Sequence, residues 1–206
     1  MVQTSTQLIT FNDFIAWYPD TGQHYELHDG VIVEMPKPTG QHSRITGFLI
    51  EELILNIIQM GKRGIWTIPK ECIVKTSNQK SGYEPNIIIL NQEVMSHEPR
   101  WKSELIIEKA ESVKLIVEVV SSNWRDDYFK KQADYEEMGI PEYWIIDYAA
   151  LGGSNFIGTP KQPTVSIYQL VEGEYQQNQF TDQNPILSRT FPNLNLTVGQ
   201  LIDINQ

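Results

Sequence analysis

Three short apolar runs constrain this chain more than any other feature: NIIIL at residues 86–90, LIVEVV at 115–120 and YWIID at 143–147. Their length and continuity read as strands buried in a core. Residues 126–138, between the second and third runs, have helical character and are closed by Gly139 and Pro141. Strand, helix, strand in that order requires a crossover, so the second and third strands pair in parallel. Residues 25–35 (YELHDGVIVEM) carry Asp29-Gly30 between two strand-like runs, a strong two-residue hairpin signal. Residues 165–170 and 174–180 predict a second hairpin. Helices are expected at 11–17, with Asn12 or Asp13 near the start, and at 41–60, through Ile45, Leu49, Leu53 and Ile57 to Gly61. A short closing helix is expected within 196–204, short strands at 65–68 and 71–75, a loop or partly helical insertion at 91–112, and a Gly/Pro loop at 152–163. The expected class is α/β, a mixed central β-sheet with helices on both faces, as one domain over residues 1–206.

Charge and cysteine usage narrow the chemistry. Sixteen Lys+Arg against 26 Asp+Glu give a net charge of −10, which opposes non-specific coating of nucleic acid. A nuclease is still allowed, since it gathers acids at a metal and needs only a local basic surface. Cys72 is the single cysteine, so no intrachain disulfide forms, and with four scattered histidines a structural zinc site is disfavoured. A bound metal would be held by oxygen, which favours Mg²⁺ or Mn²⁺. No run approaches the roughly 20 apolar residues of a membrane span. Residues 1–10 lack the basic start and apolar middle of a secretory signal, so a cytoplasmic location is expected. Phosphate-cradling, dinucleotide-binding and nucleophile-elbow motifs are not visible.

The informative residues are polar ones that interrupt apolar patterns. Glu118 lies inside LIVEVV, where a carboxylate is costly unless it is paired or binds a metal; a solvent-facing strand end is an equal alternative. In the first hairpin, Glu26 pairs with Val33 and His28 with Val31, all four on one face. Tyr25, Leu27 and Ile32 on the other face would serve as core, which favours a solvent-facing Glu26. Helical spacing puts Tyr128, Lys131 and Tyr135 on one face, with Lys130 outward. Spacing alone slightly favours a surface Asp127–Lys131 pair over an inward lysine. Glu84 and Asn86 flank Pro85 at the mouth of the NIIIL strand, a common place for ligands and for ordinary polar residues alike. His42, before the long helix, reads as a capping or surface residue, and His24, His28 and His97 lack metal-ligand spacing.

Taken together, YELHDGVIVEM, GYEPNIIIL, LIVEVVS, DDYFKKQADYEEMGIPEYWIID, VSIYQLVEGEY and FPNLNLTVGQLI resemble the Uma-type family of restriction-endonuclease-like proteins, a branch of the PD-(D/E)xK superfamily. The resemblance covers residues 10–204. It implies a mixed sheet flanked by helices and a metal-dependent phosphodiesterase site. Glu26 matches the acid of the family's hairpin, Glu118 the acid of its VEV strand, and Lys131 the lysine four residues after an aspartate, here Asp127. In the wider superfamily the lysine lies two residues after the strand acid; here that position is Val120, so the helix would supply it. The family's Pro-Asp is Pro85-Asn86 in this chain, and an amide oxygen brings no charge, so weaker metal binding is implied. Glu84 would stand in only if the strand continued through Pro85.

The function implied is Mg²⁺- or Mn²⁺-dependent endonucleolytic cleavage of DNA, weak or absent if Asn86 limits the site. Glu118, Glu26, Asn86 and the carbonyl of Val119 or Val120 would hold the metal, and Lys131 would orient water or counter the developing charge. A homodimer is implied by the resemblance. The alternatives are a non-catalytic descendant that binds protein or nucleic acid, and, less well supported, a hydrolase of small phosphate esters.

Overall fold

The computed structural model describes residues 8–203. The reading of residues 1–10 as lacking a secretory signal therefore falls mostly outside the described residues. Helix α1, Phe11–Trp17, has the expected bounds, and Thr10 caps it: the Thr10 hydroxyl accepts the Asp13 N–H at 3.2 Å while Asp13 accepts the Thr10 N–H at 3.0 Å. Strands β1 (His24–His28) and β2 (Val31–Met35) form the expected hairpin, with Glu26 opposite Val33 and His28 opposite Val31. Asp29 and Gly30 both have positive φ, 51° and 82°, as the tight turn of a twisted hairpin demands. Helix α2 runs Gly40–Gln59, and Thr39 caps it.

Strands β3 (Trp66–Thr67), β4 (Ile73–Lys75), β5 (Gly82–Tyr83) and β6 (Ile87–Asn91) follow. The stretch after β6, expected as a loop or partly helical insertion, holds helix α3 (Trp101–Glu104) and also strand β7 (Ile106–Ile107), which was not expected. Strand β8 is Val113–Val119 and β9 is Glu142–Asp147; they pair in parallel, Glu118 beside Ile145, as the crossover requires. The connecting helix is not uniform. Asp126–Lys131 is wound as a π-helix before helix α4, Gln132–Met138, which Gly139 ends with φ 85°. Helix α5 (Ser154–Ile157) lies in the Gly/Pro loop, and β10 (Thr164–Val171), β11 (Glu174–Phe180) and helix α6 (Val198–Ile202) complete the described chain.

The strands form two mixed sheets rather than one central sheet. One has the order β11-β10-β9-β8-β6-β3, the other β2-β1-β5-β4-β7. The first hairpin joins the second sheet because Leu27 pairs with Gly82 of β5 and not with the NIIIL strand. Phe11 of α1 packs against the same strand, and its approach needs a glycine: a Cβ on Gly82 would lie 2.4 Å from the Phe11 ring. Helices cover both faces of the six-stranded sheet. Ile87, Ile89, Leu115, Val117 and Val119 pack with Ile45, Leu49 and Leu53 of α2. Ile88, Ile116, Tyr143 and Ile145 pack on the other side with Tyr128 and Tyr135. The period of two therefore points Glu118, in phase with Ile116, toward the π-helical turn.

Candidate functional site

Four segments converge on one polar cluster, buried except for Asn86. Glu118 comes from β8, Asp127 and Lys131 from the π-helical turn, Glu26 from β1, and Asn86 from the entrance to β6. The Lys131 ammonium lies 3.0 Å from Glu26 Oε1, 3.0 Å from Glu118 Oε1 and 3.6 Å from Asp127 Oδ1. The surface Asp127–Lys131 pair favoured by spacing is thus overturned: the lysine is 2% exposed and its partner is buried too. Helical periodicity alone cannot tell an inward face from an outward one, and two aromatic neighbours decide it. Lys130, by contrast, points outward toward Asp29 at 3.4 Å.

Glu26 does not face solvent, because both faces of β1 are covered and its exposure is 0%. Its Oε2 lies 2.8 Å from His28 Nε2, and its Oε1 also accepts the backbone N–H of Glu84 at 3.0 Å. The Glu84 carboxylate does not stand in for the missing aspartate; it meets His24 Nδ1 at 2.9 Å. Asn86 is exposed, and its Oδ1 accepts the Val119 N–H at 2.7 Å while its own N–H points to Glu118 Oε2 at 3.4 Å. Val119 offers its carbonyl to His42 Nε2 at 3.0 Å. His42 is therefore a buried tie between α2 and β8 as well as a residue of the capped turn, and burial holds its pKa below the ordinary value against that hydrogen bond.

The electrostatics follow from three carboxylates around one ammonium in a buried site. Burial pushes Glu118 up to about 8, with Asp127 and Glu26 adding to the rise and Lys131 opposing it. Burial likewise raises Asp127 to about 6 against the pull of Lys131. Burial also opposes ionisation of Glu26, yet Lys131 and His28 together keep its pKa below the usual carboxylate range. Burial works against the Lys131 charge, but Glu118, Glu26 and Asp127 hold its pKa well above that of a free lysine. Lys131 and Glu26 thus each favour the other's charged form, and Glu118 is the acid that burial raises most.

These residues fit a divalent cation by donor chemistry. Carboxylate, amide and carbonyl oxygens are hard donors, and three carboxylates face the one ammonium of Lys131. The Asn86 and Val119 oxygens each already accept one hydrogen bond and keep a second lone pair. Asp127, His28 and His42 were not picked out by sequence reasoning as members of the site. His28 shares the β-period of Glu26 and was the most accessible of the three. A separate grouping lies nearby: His24, Glu71 and Glu84 each bring one ligand atom within 4.8 Å of the others.

Comparison with known proteins agrees with this architecture. A crystal structure from Anabaena variabilis, described as "a putative nuclease belonging to DUF820", superposes with a TM-score of 0.70 at 18% identity, covering 94% of this chain and 97% of its own. That likeness concerns the fold. No curated protein matches the chain. No helix among the described residues is long and apolar enough to cross a membrane. A family profile described as "Putative restriction endonuclease" matches residues 11–199, and the chain belongs to that family, Uma2.

Proposed function

We propose that this chain is a PD-(D/E)xK-type endonuclease that hydrolyses DNA phosphodiester bonds with Mg²⁺ or Mn²⁺. In this reading it acts as one domain, in the cytoplasm, as a homodimer able to reach both strands. The observation that carries the proposal is the placement of the Lys131 ammonium 3.0 Å from both Glu26 and Glu118, from three separate segments of chain. Family membership makes nucleic acid the expected substrate class.

Glu118 and Glu26, with Asn86 Oδ1 and the Val119 carbonyl, would hold the cation. Bound there, it would supply an acidified water and a Lewis acid for the phosphate oxygens. The remaining work belongs to the chain. Lys131, kept charged by its three acids, presents a fixed cation to charge developing on the phosphate. Glu26 is itself fixed by His28 and by the Glu84 N–H, so Lys131 is held from one side by Glu26 and from the other by Glu118. His42 fixes the Val119 carbonyl and Asn86 fixes the Val119 N–H, which leaves the backbone beside Glu118 little freedom.

Nicking of supercoiled plasmid in Mg²⁺ or Mn²⁺, lost in Glu118→Ala and Lys131→Ala, is the expected result. No cleavage of any DNA form across a wide range of metal concentrations contradicts the proposal.

A second reading, a non-catalytic descendant that binds protein or nucleic acid, is favoured by Asn86, whose neutral oxygen already serves Val119 at 2.7 Å. Calorimetric titration with Mn²⁺ separates the two. Heat of binding that disappears in Glu118→Gln supports the nuclease, and absence of binding supports the descendant.

A further inference from the structure

Helix α2 is apolar on two opposite faces. Over residues 48–58 (FLIEELILNII) only Glu51, Glu52 and Asn56 are polar. Ile45, Leu49, Leu53 and Ile57 fill the face that packs on the six-stranded sheet. At about 3.6 residues per turn the opposite face carries Gly47, Glu51, Ile54, Leu55 and Ile58, all of them exposed. Ile54, Leu55 and Ile58 are 43%, 46% and 48% exposed, and they adjoin at helical spacings. A helix that is apolar all round is one that is covered all round, and clustered surface aliphatics mark a contact where scattered ones do not. Charges bracket the patch. Glu51 precedes Ile54 by one turn, and Lys62 and Arg63 follow Ile58 just beyond the end of the helix. Glu51 and Arg63 are exposed and Lys62 is half-buried, and none of the three makes an ion pair among the described residues.

We propose that this face of α2 is a two-fold contact with a second copy of the chain, in which α2 packs antiparallel on its counterpart. The inference gives a surface to the homodimer of the proposed function and rests on that part of it, not on the cleavage chemistry. The order of charge along the patch selects the occupant: acid at one end, bases at the other. A two-fold axis through the middle of the patch reverses the second helix. Ile54 and Leu55 of one copy then meet Ile58 of the other, and Glu51 of each copy meets Lys62 and Arg63 of the other. A parallel pairing would instead set Glu51 against Glu51 and bases against bases. One surface thus supplies both its own apolar cover and its own counter-charges, as an isologous contact requires. A lipid surface is opposed by the same residues: Glu51 and Glu52 interrupt the apolar stretch, and the net charge of −10 repels anionic headgroups. With 20 residues, α2 is about 30 Å long, so the contact lies at the small end of stable interfaces and a dissociation constant on the order of micromolar is expected.

Sedimentation equilibrium of the full chain at low salt tests this, with circular dichroism to confirm that each variant folds. The expected result is a reversible dimer whose dissociation constant rises about tenfold or more in Ile58→Glu, which sets an acid against the apolar patch of the other copy. Glu51→Lys weakens the dimer as well, and combining it with Lys62→Glu and Arg63→Glu restores it, because the exchange of signs is then complete. A wild type that stays monomeric at about 100 μM overturns the contact and the homodimer together. A dimer that Ile58→Glu leaves intact overturns the contact alone. A dimer broken by Ile58→Glu and by Glu51→Lys, but not restored by the triple exchange, overturns the antiparallel arrangement. Monomeric wild type that still nicks plasmid with Mn²⁺ would sink the contact and leave the cleavage reading standing. A dimer restored by the triple exchange, in a chain that never cuts DNA, would do the reverse.

Discussion

Lys131 Nζ donates to Glu118 Oε1 at 3.0 Å, joining a π-helical turn to the C-terminal end of the buried strand β8. Both groups are nearly inaccessible, so each has lost its hydration and depends on the other.

Removing the ammonium should cost more than neutralising the acid. Lys131→Ala leaves Glu26, Glu118 and Asp127 facing one another without a counter-charge, and a loss of about 3–5 kcal/mol is expected in urea unfolding. Glu118→Gln keeps the shape of the protonated acid and should cost under roughly half of that. Equal losses in the two variants would show that the cluster is not organised around the lysine.

The raised acids fix the sign of a pH dependence. Glu118, at about 8 in the folded chain, binds a proton more tightly there than when unfolded, as does Asp127 at about 6. Between the ordinary carboxylate range and those values the folded state holds more protons, so stability falls as pH rises. Unfolding free energy should decline from about pH 5 to about pH 8, and Glu118→Gln should remove the part of the decline above about pH 6. A wild-type profile that rises across this window contradicts the assignment.

Asn86 sits where the family's acid is expected and contributes a neutral oxygen to the Val119 N–H. Asn86→Asp can keep that hydrogen bond and add a charge near Glu118. The expected outcome is Mn²⁺ affinity raised by roughly tenfold or more in calorimetry, since even with bulk-water screening one added charge about 4 Å from a divalent cation is worth about 2 kcal/mol. Unchanged affinity would mean the amide does not limit the site.

Much of this fold was legible because its signals are local. The three apolar runs, the Asp29-Gly30 hairpin and the crossover helix depend on residues within a few positions of one another. The division into two sheets was not legible, since β5 is only Gly82–Tyr83 and carries no periodicity of its own. The site was partly legible. Glu26, Glu118 and Lys131 could be named as candidates, but their burial depends on what covers each face. Leu27 made one face of β1 look like the core, while the other face meets the π-helical turn and is buried as well. The π winding itself has no pattern that separates it from an α-helix in DDYFKK. His42 was misplaced because its partner, the Val119 carbonyl, is 77 residues away.

Not every buried acid belongs to the site. Glu142, 1% exposed, accepts from Trp144 Nε1 at 2.6 Å, Ser188 Oγ at 2.5 Å and the N–H groups of Arg189 and Thr190 at 2.9 and 3.1 Å. It fastens the segment after β11 to β9. Glu142→Ala should strand these donors and cost roughly 3 kcal/mol or more, lowering the melting temperature by several degrees, whereas Mn²⁺ affinity measured below that transition should not change. A matching loss of metal affinity would contradict the separation of the two acids.

The most direct measurement is anomalous scattering from crystals soaked in Mn²⁺. The account predicts density among Glu26, Asn86 and Glu118, absent in Glu118→Gln crystals. Density confined to His24, Glu71 and Glu84, or none at either place at saturating Mn²⁺, would contradict it.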